Sequence, residues 1–160
     1  MTIRLCHNDE QIAIAAVINA AAEKYRGVIP SDCFHDPYMS DETLAVEIAS
    51  GVAFWGCERD GALAGVMGLQ IVRDQALIRH AYVRPALQGS GIGSRLLEFL
   101  LAKQTGAILV GTWADASWAI RFYQRHGFVL TEHDDTVRLL RTYWTISERQ
   151  IETSVVLRRE

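Results

Sequence analysis

The segment Tyr82-Val83-Arg84-Pro85-Ala86-Leu87-Gln88-Gly89-Ser90-Gly91-Ile92-Gly93-Ser94-Arg95-Leu96-Leu97 most constrains what this chain can fold into. A β-rich run passes through a proline and a three-glycine turn directly into an amphipathic helix. Gly89, Gly91 and Gly93 remove side chains from the turn, so main-chain N–H groups at the helix start can converge on an anion. The helix dipole adds about half a positive charge at that end. The segment reads as a phosphate cradle built from backbone.

Two other nucleotide motifs fit less well. A P-loop needs Gly-x-x-x-x-Gly-Lys-Ser/Thr, and no lysine lies between Lys24 and Lys103. A dinucleotide fingerprint would place its third glycine where Ser94 stands, and would need an acidic residue where Leu109 and Val110 stand. A glycine-rich turn without any ligand is the plainer alternative.

At 160 residues the chain suits a single domain, residues 1–160, with a sizeable core. Apolar residues make up 49%, yet no uninterrupted apolar run reaches the ~18 needed to span a bilayer. A net charge of −3 argues against nucleic acid as the main partner, because phosphate contacts need clustered basic residues. Cys6, Cys33 and Cys57 form neither a C-x-x-C pair nor a disulfide framework. Met1-Thr2-Ile3-Arg4-Leu5 lacks the apolar core of a signal peptide. A cytoplasmic protein with free thiols is the expectation. His7, His126 and His133 have no metal-ligand spacing, so no metal is expected.

Periodicity predicts a strand over residues 2–6 and a helix opened by an Asn8–Gln11 capping box, with Ile14, Val17, Ile18, Ala21 and Tyr25 inward. An aromatic loop runs from Val28 to Met39, and Ser40 caps a second helix that Gly51 closes. Strands over 52–58, 62–72 and 76–84 are joined by turns at Asp60-Gly61 and Arg73-Asp74-Gln75. After the glycine turn, Ile92, Leu96, Leu97, Leu100 and Leu101 share one helix face. A strand at 107–112 follows, then a helix capped by Asp115 or Ser117 and ended by Gly127. A strand at 128–131, a helix at 134–144 and a last strand at 153–158 complete the chain. Hairpins ahead of the glycine turn make this a mixed α+β order rather than a doubly wound parallel sheet.

Gln88-x-x-Gly91-x-Gly93 and Ala119-x-x-Phe122-Tyr123-x-x-x-Gly127-Phe128 together resemble the two signatures of the GNAT acetyl-CoA-dependent N-acetyltransferases. The element order resembles that family too, with one extra helix before the last strand. Leu77–Val83 and Gly111–Trp118 look like one bacterial subgroup of it. The resemblance implies a three-layer α/β/α fold whose mixed sheet opens as a wedge between the fourth and fifth strands. It implies acetyl-CoA as co-substrate, its pantetheine arm on main chain near Ala81, Tyr82 and Val83. Its pyrophosphate would lie on Gln88, Gly89, Ser90, Gly91, Ile92, Gly93 and Ser94. Many members carry asparagine where Ala116 stands, so Asp115 or Ser117 would have to supply that polar contact.

The resemblance assigns Tyr123 as the acid that protonates the departing thiolate; aromatic packing beside Phe122 is the other reading. A neutral amine must attack the thioester, and an amine of ordinary pKa near 10.4 is only about one part in 10³ neutral at physiological pH. A strand glutamate that serves some members as base would fall at Leu77. His80 lies nearby on the same strand, and histidine is the side chain that titrates near neutrality. Strict alternation would put Ile78, His80 and Tyr82 on one face, and a bulge would change that. A base and a core histidine are equally compatible with the pattern. Arg79 fits an acceptor carboxylate or an ordinary salt bridge. Trp113 and Trp118 border the wedge, as acceptor-pocket walls or as core. Tyr25, His35, Asp36, Tyr38 and Met39 lie in the loop that covers the acceptor in the family fold, with Tyr38 taken as a substrate contact.

The expected activity is acetyl transfer from acetyl-CoA to a primary amine by direct attack, since neither motif contains a cysteine for a covalent route. A small-molecule acceptor such as an amino acid, a polyamine or an amine antibiotic is expected, ahead of a protein N-terminus or lysine. A non-catalytic acetyl-CoA-binding or sensor module is the rival from another class. Nucleic acid and membrane partners are not expected. The sequence does not set the oligomeric state, and a homodimer is compatible with it.

Overall fold

The computed structural model describes residues 1–160. Seven strands form one mixed sheet in the order β1-β2-β3-β4-β5-β7-β6. They are β1 (Thr2–Leu5), β2 (Ala53–Arg59), β3 (Ala62–Val72), β4 (Gln75–Val83), β5 (Ile108–Trp113), β6 (Val129–Leu130) and β7 (Ser154–Arg159). Six helices flank it: α1 (Gln11–Ala22), α2 (Asp41–Ala49), α3 (Ile92–Ala102), α4 (Ser117–Arg125), α5 (His133–Tyr143) and α6 (Glu148–Glu152). None is long and apolar enough to cross a membrane.

Alternation along the strands sorts the helices into two layers. Ile78, Ile108 and Val110 pack with Leu96, Leu97 and Leu100 of α3 and Tyr123 of α4. Leu77, Leu109 and Val156 meet Leu139, Leu140 and Ile151 of α5 and α6 on the other face. Ile14, Val17 and Ile18 of α1 and Leu44 of α2 cover Phe54 and Val66 there. Each fully buried aliphatic side chain contributes about 1.5–3 kcal/mol of transfer free energy. The predicted α/β/α sandwich is realised.

Local signals mostly set the boundaries. The Ser40 side chain accepts the Thr43 N–H and starts α2. Asp60-Gly61 and Arg73-Asp74 all take positive φ, as tight hairpins require. Three expectations are corrected. The first cap lies one residue earlier than Asn8–Gln11: the Glu10 carboxylate accepts the His7 N–H at 2.6 Å, while Gln11 donates to the Asp41 carbonyl. Neither Asp115 nor Ser117 caps α4, whose N-cap position is Ala116 with no side-chain bond. The chain between α5 and β7 is not bare loop but holds α6, opened by Ser147 accepting the Gln150 N–H.

Two features of β4 shape the functional region. Its parallel ladder with β5 runs through Ala76–Ile108, Leu77–Leu109 and Ile78–Val110 and stops there, although both strands continue. Beyond Ile78 the β4 edge facing β5 has no ladder partner, and the strands part as a wedge. On the opposite edge, Val66 pairs with Tyr82 and Gly68 with Arg79, so Met67 faces both His80 and Ala81. His80 takes φ +55° in this bulge, a backbone state that costs a non-glycine residue about 1–3 kcal/mol. Gly68 makes the bulge fit, because a Cβ there would lie 2.8 Å from the Arg79 carbonyl oxygen.

Candidate active site

The bulge decides which way the β4 side chains point. Arg79 and His80 both turn toward α2, whose Glu47 carboxylate lies 3.3 and 3.4 Å from them. The His80 ring also stacks on Phe54, 5.9 Å between centroids. Ala81 and Val83 then face α3, and Tyr82 faces α1. Ile78, His80 and Tyr82 therefore do not share a face; the bulge throws Ile78 to the side opposite the other two.

On the α3 side, the wedge opens into a cleft of about 450 Å³. Ala81, Val83, Gln88, Gly89, Gly91, Gly93 and Ser94 line it, with Ile92, Trp118, Phe122 and Tyr123. Gly89 and Gly91 have φ of +82° and +87°, and Gly91 is the N-cap of α3. In that left-handed state a side chain costs roughly 1–2 kcal/mol, and glycine costs nothing. Gly93 is helical and lies against the Phe122 ring, where a Cβ would sit at 3.4 Å. Gly65 lets α3 close on the sheet, since a Cβ there would meet Ile92 at 2.9 Å. The first turn of α3, Gly91–Ser94, thus borders the cleft. Ser90 turns its hydroxyl away, donating to the Leu87 carbonyl.

Charge in this cleft has one sign. Lys24 and Arg125 line it, no carboxylate does, and neither cation has a salt-bridge partner. Lys24 holds its ammonium 4.6 Å above the Trp118 ring. Sequence reading passed over both cations, because nothing local distinguishes them from surface charges. A backbone anion cradle, two free cations and an unpaired strand edge fit a pyrophosphate joined to an amide-bearing arm.

Tyr123 is 5% exposed, on α4 between Phe122 and Phe128. Burial pushes its hydroxyl above the usual phenol value, with nearby Tyr25 adding to the rise. It stays protonated across the whole neutral range.

A smaller cavity of about 110 Å³ occupies the other side of the wedge. Tyr38, Arg79, His80, Gly111, Thr112, Trp113 and Trp144 are among its walls, with Leu140, Ile146 and Gln150 from the α5–α6 segment. Tyr25 and Tyr82 line both spaces, their hydroxyls 3.5 Å apart. Trp113 donates its indole N–H to the Tyr38 hydroxyl at 2.8 Å. Burial raises the Tyr38 and Tyr82 hydroxyls as well. Trp144 lies flat on β5 because position 111 is glycine; a Cβ there would be 3.1 Å from its ring.

Arg79 donates to Gln70 Oε1 at 2.8 Å and to Glu47. Burial draws its pKa down, and Glu47 partly offsets that. For Glu47, burial pushes upward, but His80 and Arg79 outweigh it and hold the carboxyl below its usual value. The His80 Nε2 is sealed from solvent and lies 3.4 Å from Glu47 Oε2, a charge contact without hydrogen-bond geometry.

The two motifs and the wedge thus bring together Tyr123, residues 81–83, Gln88, Gly89 and Gly91–Ser94 on one side, and Tyr38, Arg79, His80 and Trp113 on the other. Asp115 and Ser117 are exposed and line neither space. Glu47, Lys24 and Arg125 are the additions made by the structure.

No curated protein matches the chain. Solved structures do. PaiA N-acetyltransferase from Thermoplasma acidophilum, in complex with coenzyme A, superposes with a TM-score of 0.72 at 18% identity, covering 100% of this chain and 99% of that one. The ribosomal-protein-S18-alanine N-acetyltransferase from Escherichia coli gives 0.68 at 18%, covering 99% and 92%. N-acetylglutamate synthase from Neisseria gonorrhoeae, complexed with coenzyme A and N-acetyl-glutamate, gives 0.66 at 23%, covering 99% of this chain but 34% of that one. At such identities the likeness shows the fold. A family model described as an acetyltransferase (GNAT) domain matches residues 50–130, from the end of α2 through β6, and so takes in the bulge, the glycine turn and Tyr123. The chain belongs to the GNAT acetyltransferase family.

Proposed function

We propose that this protein is a cytoplasmic N-acetyltransferase that moves acetyl from acetyl-CoA to a primary amine of a small molecule, by direct attack in a ternary complex. The observation carrying this reading is the pair of spaces that meet at Tyr25 and Tyr82. One is a cation-lined cleft with a backbone anion cradle, the other a small aromatic cavity, and the unpaired end of β4 separates them.

Acetyl-CoA bound in the larger cleft would supply a thioester, whose C–S bond breaks as the C–N bond forms; the neutral amine loses one proton and the departing thiolate gains one, giving amide and free thiol. The N–H groups at Gly91–Ser94 would hold the pyrophosphate, with Lys24 and Arg125 adding positive charge. The free edge of β4 at Ala81–Val83 would pair with the amides of the pantetheine arm, since a strand edge without a partner keeps its hydrogen-bonding capacity. Tyr123, kept protonated by burial, would donate to the departing sulfur; a positioned acid of this kind is worth typically 10²–10⁴-fold. The small cavity would take the amine out of water, which favours its neutral, attacking form. His80 would accept the amine proton.

A thiol-release screen across primary amines, with acetyl-CoA as donor, tests the reading. Thiol release dependent on both amine and protein is the expected result. Tight acetyl-CoA binding without thiol release from any amine would make the chain a binding module instead.

A further inference from the structure

We infer that the acceptor is a compact amino acid, an amine that also carries a carboxylate, and that Arg79 holds this carboxylate. The inference rests on the acetyl-transfer reading above and specifies its acceptor.

The cavity beside β4 contains a guanidinium and no acid among its walls. Glu47 approaches Arg79 from behind and divides its carboxylate between Arg79 and His80, 3.3 and 3.4 Å away. Arg79 is only 14% exposed at its side chain, so its charge is partly desolvated, and Glu47 is its one salt-bridge partner. Of its five N–H donors, one reaches Gln70 and one Glu47. Three remain, and a carboxylate uses two in a planar fork.

The same charge arrangement excludes other amines. A polyamine or an aminoglycoside carries a second ammonium, which would meet Arg79 in a cavity with no carboxylate among its walls; like charges held together in a partly buried site repel. A lysine side chain or a protein N-terminus brings no carboxylate at the required position. Size narrows the choice again. A cavity of about 150 Å³ accommodates benzene, so the 110 Å³ here takes about half a dozen non-hydrogen atoms or fewer. Tyr25 and Tyr82 line both this cavity and the larger cleft, and Arg79 lines this cavity alone. An acceptor whose carboxylate sits on Arg79 therefore presents its amine toward the place where the thioester would lie.

Matched pairs isolate the carboxylate: glycine, alanine, β-alanine and 4-aminobutanoate, each beside its carboxamide, with spermidine as the polycation. Thiol release by the parent protein should give a kcat/KM at least tenfold higher for one or more of the acids than for its amide, and spermidine should be poorer still. Arg79→Gln should cost the preferred acid at least ten times more than it costs the amide, and Arg79→Lys should recover part of that difference. Calorimetric titration of the same compounds into the coenzyme A-saturated protein gives a readout independent of turnover and should rank them alike. The parent's acid-to-amide ratio needs no variant, so it decides even if Arg79→Gln does not fold. Amides or spermidine equal to or better than every acid would overturn the inference while leaving acetyl transfer intact. Equal losses on acid and amide in Arg79→Gln would make Arg79 a structural residue and overturn it too. Failure of the parent to bind coenzyme A would remove the underlying reading as well.

Discussion

Tyr38, in the loop before α2, receives the indole N–H of Trp113, at the end of β5, across 75 residues of chain and 2.8 Å of space. The bond ties the covering loop to the open end of the wedge and fixes two walls of the small cavity at once. Tyr38→Phe removes only the acceptor oxygen and leaves the Trp113 donor without it. We expect the acceptor KM to rise about fivefold, with the Kd for acetyl-CoA changing less than about twofold, consistent with a lost hydrogen bond of about 1 kcal/mol. Steady-state kinetics with the best amine, together with calorimetry, checks both numbers. An unchanged KM would make the loop a cover without a grip on the acceptor.

Gly91 carries the cofactor prediction. Gly91→Val should weaken acetyl-CoA binding at least tenfold, or roughly 1.4 kcal/mol. A β-branched side chain at φ +87° cannot keep the cap geometry that aims the α3 N–H groups. No atom lies within 4 Å of a Cβ built there, so the fold should survive. Calorimetric titration of folded variant and parent decides; equal affinity would remove the turn from the binding site.

Tyr123→Phe should lower kcat by about 10²-fold with acetyl-CoA affinity nearly unchanged. The pH profile adds a second check. The folded hydroxyl is raised above the ordinary phenol value of about 10, so it remains protonated through that pH. Parent kcat should therefore show no fall attributable to phenol ionisation between pH 8 and roughly 10. A descending limb that Tyr123→Phe abolishes would contradict this.

The Glu47 carboxyl is depressed in the folded state by His80 and Arg79, against the upward push of burial. A depressed carboxyl stabilises the fold at pH values above its unfolded pKa, about 4.3, and that stabilisation is lost as pH falls through the lower folded value. Glu47→Gln should cost about 2 kcal/mol at pH 7, in the range for hydrogen bonds to charged groups. The gap to the parent should narrow steadily below about pH 4.3. Urea midpoints at pH 7, 5, 4 and 3 measure it. A gap that stays constant down to pH 3 would leave Glu47 energetically uncoupled from its two neighbours.

Why one half of this site was legible and the other was not follows from chain distance. Gly89, Gly91 and the α3 start are read from adjacent residues, because the turn's backbone conformation and the helix cap are local requirements. The same holds for Ser40 at α2 and for Asp60-Gly61 in its hairpin. Glu47, by contrast, meets Arg79 and His80 only because the bulge turns both toward α2, and nothing near residue 47 announces it. Trp144 reaches Gly111 through the α5–α6 segment, and a small residue in a buried strand has many explanations until the ring above it is seen. The missed α6 is different in kind. Ser147 and Gln150 stand at cap spacing, but a five-residue helix has too few turns to display a period.

Because Met67 alone faces both His80 and Ala81, the side to which the β4 residues point depends on whether one stretch of the strand contains an odd or an even number of residues. Deleting His80 or Ala81 would restore a regular pleat opposite Met67 and end the arrangement that turns Arg79 and His80 toward the same helix. A one-residue indel between Arg79 and Tyr82 thus acts on the site, whereas one at the exposed Arg73-Asp74 tip changes the length of a turn. Variation in length should be tolerated at the hairpin ends and rejected within this strand.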